Sequence, residues 1–199
     1  MGQRSLSAGQ IVSNRKATIK SLFVEEELPF TGEGLKPHWA FLNYDLAGDS
    51  IVAFTGPYQV SPESIPDLRR SKKTKEFKSS RMLHLVVEHF GCDLLETLLY
   101  ERLLLGIAKD KLNHRLGGDI LQIWGDDICD GNKRITTSSA TVNALSGKIH
   151  LGINIESGEA KGLRDYDLNP KELGEVIMDQ YRLEVFRIDQ KLSTTKSVK

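Results

Sequence analysis

A chain of 199 residues with 39% hydrophobic and 27% charged residues is long enough to bury a sizeable core and has the composition of an ordinary globular protein. Lysine plus arginine equals aspartate plus glutamate at 27 each, so the formal charge is zero and gives no global electrostatic case for a nucleic-acid partner or an anionic membrane surface. No apolar run approaches the roughly 20 residues that span a bilayer, no apolar signal-peptide core opens the chain, and Cys92 and Cys129 form no metal or redox motif by spacing; the expectation is a cytoplasmic protein with reduced thiols.

In chain order, residues 1–17 are polar and hold Arg4, Arg15 and Lys16 without an acid, the pattern of a basic tail. Residues 19–25 read as a first strand. The segment PFTGEGLKPHW at 29–39 is rich in turn formers and sets His38 beside Trp39 in a loop, either to bind a ligand or, for Trp39, to cap the edge of the core. Residues 49–55 read as a strand closed by Gly56-Pro57. Between 61 and 80 six cations, Arg69, Arg70, Lys72, Lys73, Lys75 and Lys78, face three acids, Glu63, Asp67 and Glu76. That run reads as a solvated loop, mobile without ligand over 66–78, or as a flap that closes on an anion.

A serine at 79 or 80 is placed to cap a helix running to Phe90, with Met82, Leu83, Leu85, Val86 and Phe90 apolar and His84 and Glu88 four apart on one face. Asp93 then caps a helix to about residue 114, whose leucines 94, 95, 98, 99, 104, 105 and 112, with Ile107 and Ala108, predict a broad apolar side. Asn169-Pro170-Lys171-Glu172 is a strong helix start, with Asn169 as cap, Pro170 in the first turn and Glu172 able to bond back to the cap. Residues 192–199 read as a polar tail, leaving one α+β domain at 18–191.

The stretch from 117 to 157 organises the rest. It reads as three strands joined by tight turns, and its last strand alternates: Ile149, Leu151, Ile153 and Ile155 on one side, His150, Gly152 and Asn154 on the other. The apolar side predicts burial, and the other side predicts a cavity or open face. The same alternation pairs Lys133 with Ile135 and Arg134 with Thr136, which aims Arg134 at that polar side. The element order, strands, two helices, three strands, helix, gives an α+β fold with a mostly antiparallel sheet covered by helices.

FVEEELPFTGEGLKPHW, GDSIVAFTGPYQV, MLHLVVEHF, GDDI and TVNALSGKIHLGINI together resemble a prokaryotic family catalogued as a domain of unknown function, number 366, over about residues 22 to 188. The segment GDDICDGNKRITTSSATVNALSGKIHLGINI also looks like the centre of the biotin and lipoate protein ligases and the octanoyl transferases. That second resemblance implies a class II synthetase-related core. Asp126 and Asp127 stand at the ligases' Asn-Asp position, and His150 to Ile155 at their closing strand. Counted back from Ile135, their essential lysine falls on Arg134, with Lys133 one place earlier; no cysteine follows Ile155, so the transferases' thiol nucleophile has no counterpart.

Acyl-adenylate chemistry joins a carboxylate to the α-phosphate of ATP, and a fixed cation stabilises the charge that builds there. The resemblance therefore implies Arg134 and Lys133 as the anion-contacting pair and His150 as an acid or base. Asp126, Asp127, Asn154 and Gly152, with His38 and Trp39 of the 29–39 loop, are the candidate ligand contacts; Asp126 and Asp127 either hold the Mg²⁺ of a bound ATP or accept hydrogen bonds from a ligand ring or amine. Against each stands a plainer reading: turn-forming acids, a structural strand histidine, an edge asparagine. The expected partner is a small-molecule carboxylate or a nucleotide, with no membrane and no nucleic acid. The alternatives are a binding module that kept the pocket without the reaction, and an RNA-associated protein with a synthetase-like core.

Overall fold

The computed structural model describes residues 19–68, 79–156 and 160–196. Their elements are β1 (Lys20–Val24), a short 3-10 turn (Glu33–Leu35), α1 (Trp39–Tyr44), β2 (Ser50–Tyr58), a 3-10 turn (Pro62–Ser64), β3 (Ser79–Phe90), α2 (Leu94–Leu116), β4 (Gln122–Trp124), β5 (Asp127–Asp130), β6 (Lys133–Arg134), β7 (Thr136–Val142), β8 (Ser146–Glu156), a 3-10 turn (Leu163–Tyr166) and α3 (Pro170–Thr194). Five strands form one sheet in the order β1-β2-β3-β8-β7, parallel only between β1 and β2, while β4-β5-β6 form a small second sheet. This is the expected α+β arrangement, and no helix among the described residues is long and apolar enough to cross a membrane. The basic run from 69 to 78 and the tail from 1 to 17 lie outside the described residues.

Each face of the main sheet has its own core. Ile51, Ala53, Leu83, Leu85, Val87, Ile149, Leu151 and Ile153 pack with Leu104, Leu105, Ala108 and Leu112 of α2 and Leu173, Ile177 and Tyr181 of α3. Val52, Phe54, Met82 and Val86 pack on the other side with Phe30, Ala40, Tyr58 and Val60. The alternation read along 149–155 therefore holds on its apolar side.

Residues 79–90, expected as a helix, are the central strand, hydrogen-bonded to β2 and β8 along almost their whole length. A strand covered on both faces loses the polar alternation that marks a half-buried one, so its near-continuous apolar run is indistinguishable by period from a buried helix. Strand β2 likewise runs through Gly56-Pro57 with a register shift instead of stopping there. The backbone of Leu28 crosses so closely that a Cβ at Gly56 would lie 2.0 Å from its carbonyl oxygen. Gly56→Ala is expected to lower stability by about 1–3 kcal/mol, the usual scale of overpacking, read as a shifted urea midpoint; an unshifted midpoint would show that Leu28 moves freely.

The helix signals are mostly kept. Asp93 caps α2, accepting from Glu96 N at 2.8 Å, and Glu96 returns the bond to Asp93 N at 3.0 Å. Asn169 Oδ1 accepts from Lys171 N and Glu172 N at 2.9 and 3.3 Å; Glu172 reaches Arg115 instead of bonding back. Residues 192–194, expected in the polar tail, are the last residues of α3. The apolar side of α2 is narrower than its leucines suggest. Its buried stripe runs through Thr97, Glu101, Leu104, Leu105, Ala108 and Leu112, whereas Leu94, Leu95, Leu98 and Leu99 are 49%, 65%, 41% and 62% exposed. At 3.6 residues per turn Leu95 and Leu99 point away from that stripe and Leu98 sits at its margin, while Leu94 lies in line with it but at the first position of the helix.

Candidate functional site

The stretch 117–157 contains five strands, not three, because the chain changes sheets at Ile135. Asp127 opens β5, Gly131 turns the chain with φ 54°, and Arg134 ends β6. Ile135 N donates to Ile128 O, and Thr136 Oγ1 accepts from Ile128 N at 2.7 Å, which ties the small sheet to the large one. Strand alternation therefore does not carry from 133 to 136. Ile135 and Thr136 are both buried, and the Arg134 side chain is 47% exposed with its Nε 3.3 Å from Asp127 Oδ2. Lys133 is exposed and pairs in register with Asp130.

Strand β8 brings Asn154 to the same corner. Its backbone N donates to Ile135 O at 2.9 Å, and its Nδ2 lies 3.4 Å from both Arg134 O and Lys161 O. Lys161 ion-pairs with Asp130, and Tyr166 OH donates to the same carboxylate at 2.7 Å. The hydrogen bonds from Lys161 and then Tyr166 hold the Asp130 carboxyl below its ordinary range. Burial and the acceptor Asp130 push the Tyr166 phenol up. Asp127, Arg134 and Asn154 are thus brought together, and Asp130, Lys161 and Tyr166, unmarked by any sequence motif, brace them.

Asp126 belongs elsewhere. Its carboxylate pairs with Arg102 of α2 and its carbonyl accepts from Ser138 Oγ at 2.8 Å. Each of the two acids holds an arginine, and no group of three His, Cys, Asp or Glu able to hold a metal ion forms among the described residues.

His150 and Gly152 face away from the helices, as alternation requires, but they line no open face. His150 is 1% exposed and stacks on Phe30 with ring centres 3.7 Å apart. Its Nε2 lies 3.0 Å from His84 Nδ1, and His84 Nε2 lies 3.1 Å from Gly56 O. A carbonyl only accepts, so His84 Nε2 carries the proton, His84 Nδ1 accepts, and His150 Nε2–H donates. Burial lowers both imidazoles, His84 to about 4, with the His84–His150 contact a further cause for His150. The acid-base role expected of His150 therefore gives way to a neutral, buried hydrogen-bonded pair. A Cβ at Gly152 would meet Met82 Cε at 2.9 Å, so that position is filled space.

His38 and Trp39 lie toward the other end of the sheet. His38, at φ 60°, donates its backbone N–H to Glu88 Oε1 at 2.9 Å, and Trp39 packs against Phe54 and Tyr44 at the edge of the second core. Glu88 and the Asn154 partner Met82 are six residues apart on β3, about 20 Å along the strand. Neither residue of the His38–Trp39 pair joins the Arg134 corner. Instead, Glu88 also accepts from Ser146 Oγ at 2.8 Å and from Lys148 Nζ at 3.1 Å, with the Lys148 side chain 0% exposed. Desolvation lowers the Lys148 ammonium pKa against the opposing pull of Glu88. This buried pair had a partial sequence signal in Lys148 on the alternating strand, but its partner lay in the segment expected to be helical. On the helical face the buried His89 bonds Tyr181 at 2.8 Å and the partly buried Asp49 at 2.9 Å. A groove of about 500 Å³ lined by Arg102, Gly106, Asp110, Lys111, Gln180 and Glu184 runs between α2 and α3, across the sheet from His150.

The sheet and its covering helices have the fold of the lipoate and biotin protein ligases. A biotin protein ligase from Aquifex aeolicus, solved with biotin and ATP, matches with a TM-score of 0.57 at 10% identity, over 85% of this chain and 72% of that one. At that identity the likeness concerns the fold. A protein of unknown function from Pyrococcus horikoshi superposes with a TM-score of 0.85 at 26% identity, covering 91% of this chain and all of that one. The uncharacterized protein MJ0805 of Methanocaldococcus jannaschii is 35% identical over 188 residues, 87% of this chain and 83% of that one. Residues 19–196 match the family model described as "Domain of unknown function (DUF366)", and the chain belongs to that family.

Proposed function

We propose that this protein binds a small carboxylic acid or acyl group together with a nucleotide at the Asp127–Arg134–Asn154 corner, and that it is a ligase or transferase of the acyl-adenylate type. The observation that carries this reading is the Arg134 guanidinium, half exposed and oriented by Asp127, at the position where the resembling ligases have their essential lysine. Proteins of this fold have been solved with lipoic acid bound and with biotin and ATP bound. In such a reaction a carboxylate oxygen attacks the α-phosphorus of ATP, the new C–O–P linkage forms, and pyrophosphate leaves. A guanidinium stays protonated throughout and offers paired donors to the phosphoryl or carboxylate oxygens.

Titration calorimetry with lipoate, biotin, octanoate, ATP and AMP tests the binding, and carboxylate-dependent exchange of labelled pyrophosphate into ATP tests the reaction. Arg134→Ala is expected to weaken binding by roughly 1.5–3 kcal/mol, the scale of a hydrogen bond to a charged group, with an unchanged unfolding curve; unchanged affinity for every ligand that binds would remove Arg134 from the site. A non-catalytic binding module is the second reading. It is favoured by the arginine in place of lysine and by the lack of a cysteine after Ile155. Binding without pyrophosphate exchange would select it.

A further inference from the structure

The two covering helices turn large apolar side chains to solvent as well as to the sheet. On α2, Leu95 and Leu99 point away from the buried stripe and are each more than half exposed. On α3 the buried side runs through Leu173, Ile177, Tyr181 and Val185. Leu183 follows Tyr181 by two residues and precedes Val185 by two, about 200° round the helix from each, and so lies on the far side. Leu183 and Phe186 are 42% and 51% exposed. The helices run antiparallel, since Arg115 reaches Glu172 while Lys111 reaches Gln180. Leu103 and Ile107 face Gln180 and Glu184 across the groove of about 500 Å³, which sets the Leu183–Phe186 turn beside the turn of α2 that follows Leu99. Gly106 lies seven residues after Leu99, on the same side of α2. A glycine inside a helix weakens it, and a Cβ at Gly106 would meet nothing within 4 Å, so no neighbour among the described residues requires one. Large apolar residues clustered on an outer face, around a position kept free of side chain, mark a surface that another helix approaches closely.

We propose that the outer face of α2 and α3 is the interface of a two-fold homodimer, with the α2–α3 pair of a second copy seated on it and Leu99 and Leu183 near its centre. Charge selects this occupant. The groove carries Arg102 and Lys111 against Asp110 and Glu184, two of each sign. A two-fold contact lays one patch on itself, so a face of one sign would repel its copy and this balanced one does not. The same balance gives no attraction to an anionic lipid surface, which calls for a basic polar face around the apolar one. Area agrees. The helices are 23 and 25 residues long, so side by side they present a plane about 35 Å by about 20 Å, on the order of 700 Å². Each partner of a stable interface contributes about 800 Å². The sheet lies behind this layer, so the Arg134 corner stays open in the dimer and is not part of the contact.

Sedimentation equilibrium of the full chain, from micromolar to hundreds of micromolar, tests the proposal and is expected to show a species of twice the chain mass. Leu99→Glu combined with Leu183→Glu places four carboxylates in the contact, two from each copy, and is expected to weaken dimerisation about a hundredfold or more. Both side chains face solvent in the single chain, so the variant keeps its fold, which circular dichroism checks. Gly106→Gln fills the open position with a better helix former and therefore does not threaten folding; it is expected to weaken dimerisation at least about tenfold. Leu42→Glu alters a leucine of α1 that is 76% exposed and outside this face, and is expected to leave dimerisation unchanged. A chain that stays monomeric at every concentration overturns the proposal, and its sedimentation with phosphatidylcholine–phosphatidylserine vesicles would assign the face to a lipid surface instead. A dimer that withstands both the double variant and Gly106→Gln, or that Leu42→Glu breaks equally, overturns it by placing the contact elsewhere.

Discussion

Glu88→Leu is expected to destabilise the protein by about 3–5 kcal/mol, the cost of removing one partner from a buried ion pair. The Lys148 ammonium is fully buried, and Glu88 is its one acceptor among the described residues. The same carboxylate holds Ser146 Oγ and the backbone N–H of His38, a residue kept at φ 60°. Removing it strands an ammonium and two neutral donors and releases a strained residue. The pair itself is not a source of net stability, because the desolvation of two charges offsets their attraction. The double variant Glu88→Leu with Lys148→Met is therefore expected to recover most of the loss. Urea unfolding of the two single variants and the double variant measures this; a double variant as unstable as Glu88→Leu alone would show that the Ser146 and His38 bonds, not the charge, account for the effect.

Acid is expected to weaken the fold well before ordinary carboxylates titrate. His84 has a folded-state pKa of about 4 because burial disfavours its charged form. In the unfolded chain the same imidazole titrates near 6.5. Between those values the unfolded state binds more protons, so stability rises with pH there and is lost as pH falls from about 6.5 to 4. The loss from His84 alone is about 3 kcal/mol at pH 4, and His150, lowered in the same direction, adds to it. Urea midpoints between pH 7.5 and 4 should fall steeply in the native protein and less steeply in His84→Gln. The depressed Asp130 carboxyl acts in the same direction only below its ordinary range, so its part appears at lower pH. Equal slopes for native protein and variant would show that the His84–His150 pair is solvated and protonates without breaking the core.

The legible parts of the chain were those whose signal is local. The caps at Asp93 and Asn169 need only a side chain within three residues, and both formed. The Ile149–Ile155 alternation needs only one sheet with one helical cover, and those residues are buried as read. Misreadings came where a second neighbour decides. Residues 79–90 are covered on both faces, which erased the period that would have marked a strand. The leucines at 95 and 99 lie outside the arc of α2 that the sheet can cover, although they read as part of one broad apolar side. The Arg134 orientation was argued by carrying one strand's alternation across Ile135, where the chain leaves one sheet for the other.

Sequence alone determined the class of fold and the helix caps at Asp93 and Asn169, because residue type, spacing and turn chemistry are properties of neighbours along the chain. Only the tertiary structure decided that His150 is a buried partner of His84, that His38 and Trp39 belong to the Glu88 end of the sheet, and that Asp126 holds Arg102 while Asp127 holds Arg134. Those outcomes depend on which strands lie side by side. β3 and β8, whose paired residues are separated by some sixty positions in the chain, place His84 against His150 and Glu88 against Lys148 by sheet register, and no local pattern encodes a register between strands so far apart.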